Sequence, residues 1–359
     1  MEKRFIIPML AVCLAVVFLG TTISISAGAS SSGGSKITKS LGVGESNSDL
    51  FAIPKGSTVM YLPGGVTEIY DSNNNLWMSI RDEDVGLVLT PKGLQKATKV
   101  FEVPNGALVT GATKGVTEVY GPEGDLIFKI VDNGETQGSN STQLPSESVA
   151  PQVVWYGGWV EDAYAGQYND VNYFFAQWNC PSKNTTLSSA CALFPDVEGD
   201  GANGWINHYC IAQPVLQYNQ NGQKQLNGQA WLVRDDNVSI HSGTTPVSVG
   251  NALRGAISEN TDGYWWITFR NDTTSKVVWF KSNLMGHTHQ EIDTALEGYN
   301  LNTNADLFGT CDFYNMVVWR NSVPYSVPWA GEVLASRTQF PGLAVNIFGS
   351  AHTQLATGH

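Results

Sequence analysis

Charge is scarce in this chain, and positive charge scarcer still. Only 14% of the 359 residues are Asp, Glu, Lys or Arg, and 20 basic residues stand against 32 acidic ones, a net charge of −12. A surface of that sign repels phosphate backbones, which excludes a nucleic-acid partner. Cysteine is rare, with five in all. No G-x-S-x-G elbow is present, so a Ser-His-Asp triad has no nucleophile, and no glycine-rich phosphate loop occurs. In place of charge the chain carries Gly, Trp, Tyr and Phe, which suit many short strands joined by turns better than a helical bundle. The expected fold class is all-β.

The N-terminus predicts export. Lys3 and Arg4 precede an apolar run from Phe5 to Gly20, and small residues follow down to Ala27-Gly28-Ala29, the layout of a signal peptide over 1–29. The expected location is secreted or cell surface. Extended through Ile25, the run approaches the roughly 20 residues of a membrane span, so a membrane is a partner only where the signal stays uncleaved. Four cysteines then remain, Cys180, Cys191, Cys210 and Cys311, an even number in an oxidising compartment. Two disulfides are expected. Of the three connectivities, a local Cys180–Cys191 with a long-range Cys210–Cys311 is favoured. Sequons at Asn140, Asn184, Asn237 and Asn271 mark expected glycosylation sites.

Residues 30–50, rich in Ser and Gly, read as a flexible leader. From Phe51 a repeat begins. F-A-I-P-K-G at 51–56 returns as F-E-V-P-N-G at 101–106, G-V-T-E-I-Y at 65–70 returns as G-V-T-E-V-Y at 115–120, and Leu76 answers Leu126, an offset of 50 throughout. Apolar alternation broken by Pro-Gly, Gly-Gly and Asn-rich turns predicts a two-copy β domain over 51–135, with a short helical turn around Gly93–Ala97 between the copies. Residues 136–150 hold no aromatic side chain and read as an exposed linker. Beyond it, 153-VVWYGGWVEDAY-164, 171-VNYFFAQWNCP-181, 264-YWWITFRN-271 and 276-KVVWFKSN-283 are aromatic and β-branched runs separated by turns. They predict an antiparallel β-sandwich over 151–345, followed by a tail at 346–359.

Within that sandwich, 192-ALFPDVEGDGANGWINHYCIAQPVLQY-218 runs from an apolar strand ending in V-E-G-D through a loop to I-A-Q, and 291-EIDTALEGYN-300 follows downstream. Gly157-Gly158-Trp159-Val160 and 177-QWNCP-181 precede them, and looser echoes lie at 247-VSVGNALRG-255 and 257-ISENTDGYW-265. The order resembles the eqolisins, the fungal glutamic endopeptidases, whose segments read S-G-N-W-A-G, W-V-G-I-D-G-D, I-L-Q and W-I-V-E-D. More remotely it resembles the plant neprosins. The resemblance implies a concanavalin-like sandwich and a secreted endopeptidase that acts at acidic pH on protein or peptide substrates without a cofactor. It implies Glu297 as general base and Gln213 as oxyanion stabiliser, with Glu198, Trp231 and Asp293 in support. The chain departs from the family at its W-Y-E-W-Y-P strand: 231-WLVRDD-236 keeps Trp231 but sets Arg234 and Asp235 in place of the acid-aromatic pair. That leaves substrate specificity open.

The chemistry explains why these residue types matter. Amide hydrolysis needs a base for the attacking water and donors for the developing oxyanion. A Glu with an ordinary pKa near 4.3 can take the proton, and a Gln amide can orient the water and then bind the oxyanion. If 289–297 is extended, His289, Glu291, Asp293, Ala295 and Glu297 share one face, where carboxylates raise one another's pKa values. Gln217 lies on the same face as Gln213, two pleats on, which leaves a displacement of the match by four residues open.

Metal readings are weaker. Asp196, Glu198 and Asp200 with Gly201 begin like a calcium loop, but position 12 is Asn207 where Glu is required. His287 and His289 with Glu291 lack a fourth zinc ligand. No metal is expected. The alternative from another class is a non-catalytic surface module that binds glycans by stacking sugars on Trp155, Trp159, Trp265 and Trp266.

Overall fold

The computed structural model describes residues 53–91, 93–113, 115–132, 156–185, 189–202, 209–219, 224–235 and 238–358. The signal, the leader, the linker at 136–150, Trp155 and the sequons at Asn140 and Asn237 lie outside the described residues. Among the described residues no helix is long and apolar enough to cross a membrane.

The protein is an all-β sandwich. The repeat region contributes β1 (Ser57–Leu62), β2 (Val66–Tyr70), β3 (Leu76–Arg81), β4 (Leu87–Thr90), β5 (Gly93–Lys96), β6 (Val100–Val103), β7 (Leu108–Thr113), β8 (Val116–Tyr120) and β9 (Leu126–Asp132). The helical turn between the copies falls at Ala97–Lys99, after a strand over Gly93–Lys96. The second region supplies β10 (Tyr156–Tyr168), β11 (Val171–Asn179), β12 (Ala190–Asp200), β13 (Tyr209–Tyr218), β14 (Leu226–Arg234), β15 (Ser239–Ser242) and β16 (Thr245–Pro246). It continues with β17 (Ala252–Glu259), β18 (Trp265–Asn271), β19 (Lys276–Ser282), β20 (Gln290–Leu301), β21 (Cys311–Arg320), β22 (Val323–Tyr325), β23 (Ala330–Val333), β24 (Leu343–Gly349) and β25 (His352–Thr357).

The two copies of the repeat fold alike because their alternation is alike. Thr67 and Ile69 are buried in β2 as Thr117 and Val119 are in β8, and on the opposite face the Tyr70 hydroxyl donates to Glu68 at 2.5 Å as Tyr120 does to Glu118 at 2.6 Å. The copies join each other through parallel β1 and β9. They also join the second region: β7 pairs in parallel with β19, and β6 with β15. A 14-stranded sheet thus runs β24-β25-β21-β11-β17-β18-β19-β7-β8-β9-β1-β2-β3, with β22 beside β21, and a 9-stranded sheet runs β23-β10-β20-β12-β13-β14-β15-β6, with β16 beside β14. Arg234 serves the same union, donating to Thr117 at 2.9 Å and pairing with Asp132 at 2.8 Å.

The core lies between these sheets, where Trp178, Trp265, Phe269, Phe280 and Phe313 meet Leu193, Leu216, Leu232 and Leu296. Two glycines permit the close approach. A Cβ on Gly228 of β14 would lie 1.8 Å from the ring of Phe269 in β18, and one on Gly255 of β17 would lie 2.7 Å from Pro214 in β13.

Four expectations are corrected here. Among the described residues Cys180, Cys191, Cys210 and Cys311 are all buried and no disulfide joins them, where two were expected. Register explains it: β12 sets Cys191 opposite Tyr218, while Cys210 lies opposite Gly199 at the other end of the same hairpin. Cys180 directly follows β11 and Cys311 opens β21, neighbouring strands of the other sheet, so neither expected pairing brings its two sulfurs together. Asn271 is no glycan acceptor in this fold, because its amide is fully buried and donates to Pro246 and Asn251; Asn184 is exposed. His289 leaves the strand face, with φ 52° and its ring out by Asp200. Trp265 is buried and offers no face to a sugar.

Gly228→Ala should cost about 1–3 kcal/mol by overpacking against Phe269. Urea unfolding should show a lower midpoint at an unchanged slope; an unchanged midpoint would mean the sheets do not pack this closely.

Candidate functional site

In the 9-stranded sheet, side chains alternate between the core and an outer face, and the outer face gathers most of the polar residues singled out above. One row across it runs Asp293 (β20), Asp196 (β12), Gln213 (β13), Trp231 (β14), His241 (β15) and Glu102 (β6). Pairing sets Asp293 against Asp196, Gln213 against Trp231, Trp231 against His241 and His241 against Glu102. The Gln213 amide closes the remaining step by donating to Asp196 at 3.3 Å. A second row lies four residues along the strands: Trp159, Glu297, Ala192, Gln217 and Asn227. Gln213 and Glu297 therefore share the face but sit about 13 Å apart along the strand direction. Glu297 instead faces Gln217 across the small side chain of Ala192, two strand spacings or about 10 Å between backbones.

Each group has definite neighbours. Glu297 accepts the Tyr299 hydroxyl on Oε1, while its Oε2 has no hydrogen-bond partner. Glu198 accepts the hydroxyl of Tyr209. Gln217 donates to Gln229, whose own amide lies 3.0 Å from His241 Nδ1. Trp231 packs against His241 with ring planes tilted by 36° and centroids 4.5 Å apart, and Trp159 meets Phe194 edge-on at 5.9 Å beside Glu297.

Burial dominates the electrostatics. Glu297 is 1% exposed and Gln213 is 0% exposed. Desolvation raises the pKa values of Asp196, Asp293 and Glu297 well above the carboxylate range. The Glu198 charge adds to the rise at Asp196, while hydrogen bonds from Gln213 and Asp293 oppose it. Burial likewise lifts Asp162 to about 7 and Glu161 to about 9, and it lowers His241 to about 4, so that ring is neutral. Carboxylate oxygens of Asp196, Glu198 and Asp293 lie within 4.8 Å of one another, close enough to share a hard divalent cation or, as acids, a proton.

The face is covered. Val88 of β4 and Val100 of β6 pack with Phe194, Ile211, Val215, Trp231, Val233 and Ala295 in an apolar cluster. Gln95 accepts the Ser239 hydroxyl at 2.8 Å, and Gly93 backs onto Tyr299, whose hydroxyl would lie 3.1 Å from a Cβ there. The segment between the two repeat copies thus lies on the outer face in extended form. Cover and burial explain the raised pKa values, and admitting water would return Glu297 toward the range of a base.

Of the residues named from sequence, the fold groups Gln213, Asp293 and Glu198 around Asp196, sets Trp231 beside Gln213, and places Glu297 in the next row with Gln217. Asp196 had drawn notice only as part of a calcium-loop pattern, and Tyr299, Tyr209, Gln229 and the cover were not foreseen. Even residue spacing from Glu297 would have found Tyr299; nothing local signals the cover.

No family model matches the chain, and no curated protein matches it. Among solved structures, it is similar to scytalido-glutamic peptidase with a peptide-based transition-state analog, at 16% identity and TM-score 0.42 over 57% of this chain and 100% of that one. It is similar to SCP-B, a member of the eqolisin family in complex with the tripeptide Ala-Ile-His, at 15% identity and TM-score 0.41 over 57% of this chain and 100% of that one. It is also similar to aspergilloglutamic peptidase from Aspergillus niger, at 14% identity and TM-score 0.32 over 46% of this chain and 98% of that one.

The buried acids set the pH dependence of stability. Above about pH 4 the unfolded chain has released protons that the native chain still holds. The stability they contribute is complete below that point and is lost as pH rises through about 7 for Asp162 and about 9 for Glu161. Urea midpoints should fall from pH 4 to 9, and Glu161→Gln should flatten the upper part of that decline. A profile rising toward neutrality would contradict the assigned protonation.

Proposed function

We propose that the protein is a glutamic-type endopeptidase, secreted or displayed at the cell surface, held in a closed state by its own inter-repeat segment. The observation that carries this reading is Glu297, with one carboxylate oxygen unpartnered, facing a side-chain amide across Ala192 on a face that already holds extended polypeptide. In this reading Glu297, once the face opens, takes a proton from water as that water attacks the scissile carbonyl, and then returns it to the leaving amine. The amide that receives the oxyanion is Gln217, the nearer in register. Gln213, first matched to that role by motif, instead orients Asp196. The order of motifs from Gly157 to Glu297 supports the same class.

A second reading keeps one specific observation: Trp266 and Trp279 stack at 4.5 Å on the outer face of the large sheet, where a sugar ring could add to the stack. Loss of glycan retention in Trp266→Ala, with no hydrolysis by the parent, would favour it.

Glu297→Gln should abolish hydrolysis of a denatured protein substrate at mildly acidic pH while leaving the fold intact, and chelators and serine- or cysteine-directed inhibitors should have no effect. Removing an oxyanion donor costs about 10²–10³-fold, so Gln217→Ala should be impaired on that scale and more than Gln213→Ala. Undiminished activity in Glu297→Gln would remove the assignment. Val88→Asp places a charge where the cover meets the apolar cluster, and this should open the face and raise hydrolysis above the parent chain. Equal rates would argue against a closed state.

A further inference from the structure

Tyr299 stands two residues beyond Glu297 on β20, so the two side chains rise from the same face one pleat apart. Its hydroxyl donates to Glu297 Oε1. The ring lies in a slot of small residues. Register sets Gly157 of β10 and Ala190 of β12 on either side of it. A Cβ on Gly157 would lie 3.0 Å from ring atom Cδ1, and a Cβ on Gly93 of the covering hairpin would lie 3.1 Å from the hydroxyl. Gly93 also has φ +102°, a conformation that side chains resist, so glycine there answers two demands at once. Three small residues from three separate strands hold one phenol where it can reach only one side of the Glu297 carboxylate, and the other oxygen, Oε2, remains without a partner.

We propose that Tyr299 is the positioning residue of the site: it fixes the Glu297 carboxylate through Oε1 and presents Oε2 to the reacting water. The inference rests on Glu297 being the base. Tyr299 itself transfers no proton; it sets the orientation of the carboxylate and favours its charged form. The slot serves this purpose because a ring free to turn would leave the carboxylate free to turn with it. Gly93 places the cover in direct touch with this phenol, so closure of the face and setting of the base meet at one side chain.

The test uses Tyr299→Phe in the full chain, which keeps the ring in its slot and removes only the donor. Glu297 is titrated by carbon NMR of carboxyl-labelled glutamate, with the signal assigned by its loss in Glu297→Gln, and hydrolysis of a denatured protein is followed against pH. A hydroxyl donor favours the carboxylate, so its loss should move the Glu297 midpoint, and with it the acid limb of the rate profile, to higher pH. The rate constant kcat should fall about 10- to 100-fold, as for loss of a hydrogen bond to a charged group, with KM within about twofold. Gly157→Ala, which crowds the ring without touching Glu297, should move the midpoint in the same direction. An unmoved midpoint in Tyr299→Phe, or a loss confined to KM, would overturn the proposal. If the chain proves inactive even when opened by Val88→Asp, the peptidase reading fails, and the titration alone still decides whether Tyr299 holds Glu297.

Discussion

The placement of β12 between β20 and β13 is the constraint on which the rest of the site depends. Because side chains alternate with period two, one register decides at once which residues face the core and which face outward. It sends Leu193, Pro195 and Val197 inward, and Ala192, Phe194, Asp196 and Glu198 outward. It also decides the partners along each row. Asp196 receives Asp293 on one side and Gln213 on the other, while the methyl of Ala192 leaves space between Glu297 and Gln217. A slip of one residue in β12 would carry Asp196 and Glu198 into the core and bring Leu193 and Val197 out. The apolar inner face opposes that slip.

The second consequence is electrostatic. Acidic side chains this deeply buried cannot all be ionised, since each charge would lose its hydration and repel its neighbours. Protonation and mutual hydrogen bonding within the Asp196–Asp293 pair, with Gln213 as donor, resolve the conflict in the closed form. The cover is part of this balance. By placing Val88 and Val100 over Trp231 and Phe194, it withdraws the row from water and so keeps the acids neutral. Closure of the face and protonation of its acids are therefore one physical event.

The repeat region takes on a different character in three dimensions. Read as a string, its two copies are small hairpins; in the fold their strands extend both large sheets through the parallel pairings of β7 with β19 and β6 with β15. Arg234, which in sequence marks a departure from the eqolisin strand, is the buried tie to Asp132 and Thr117 of the second copy. A residue that puts specificity in question when read from motif has a structural task when read from packing.

Sequence alone determined the strand class, the 50-residue repeat and the shared face of Glu291, Asp293, Ala295 and Glu297, because period-two alternation and turn residues are local properties of the chain. The departure of His289 from that face was not legible, since its positive φ accompanies a backbone N–H that donates to Asn169 and a ring Nδ1 that meets the Asp200 carboxylate, both distant in sequence. Nor was the cysteine arrangement, which depends on registers that spacing does not encode. The placing of Glu297 in one row with Gln217 rather than with Gln213, the capture of Gln213 by Asp196, and the seating of Gly93 on Tyr299 were decided only by tertiary structure. Each depends on how two strands far apart in the chain align, and a shift of four residues leaves every local pattern unchanged while moving a side chain about 13 Å.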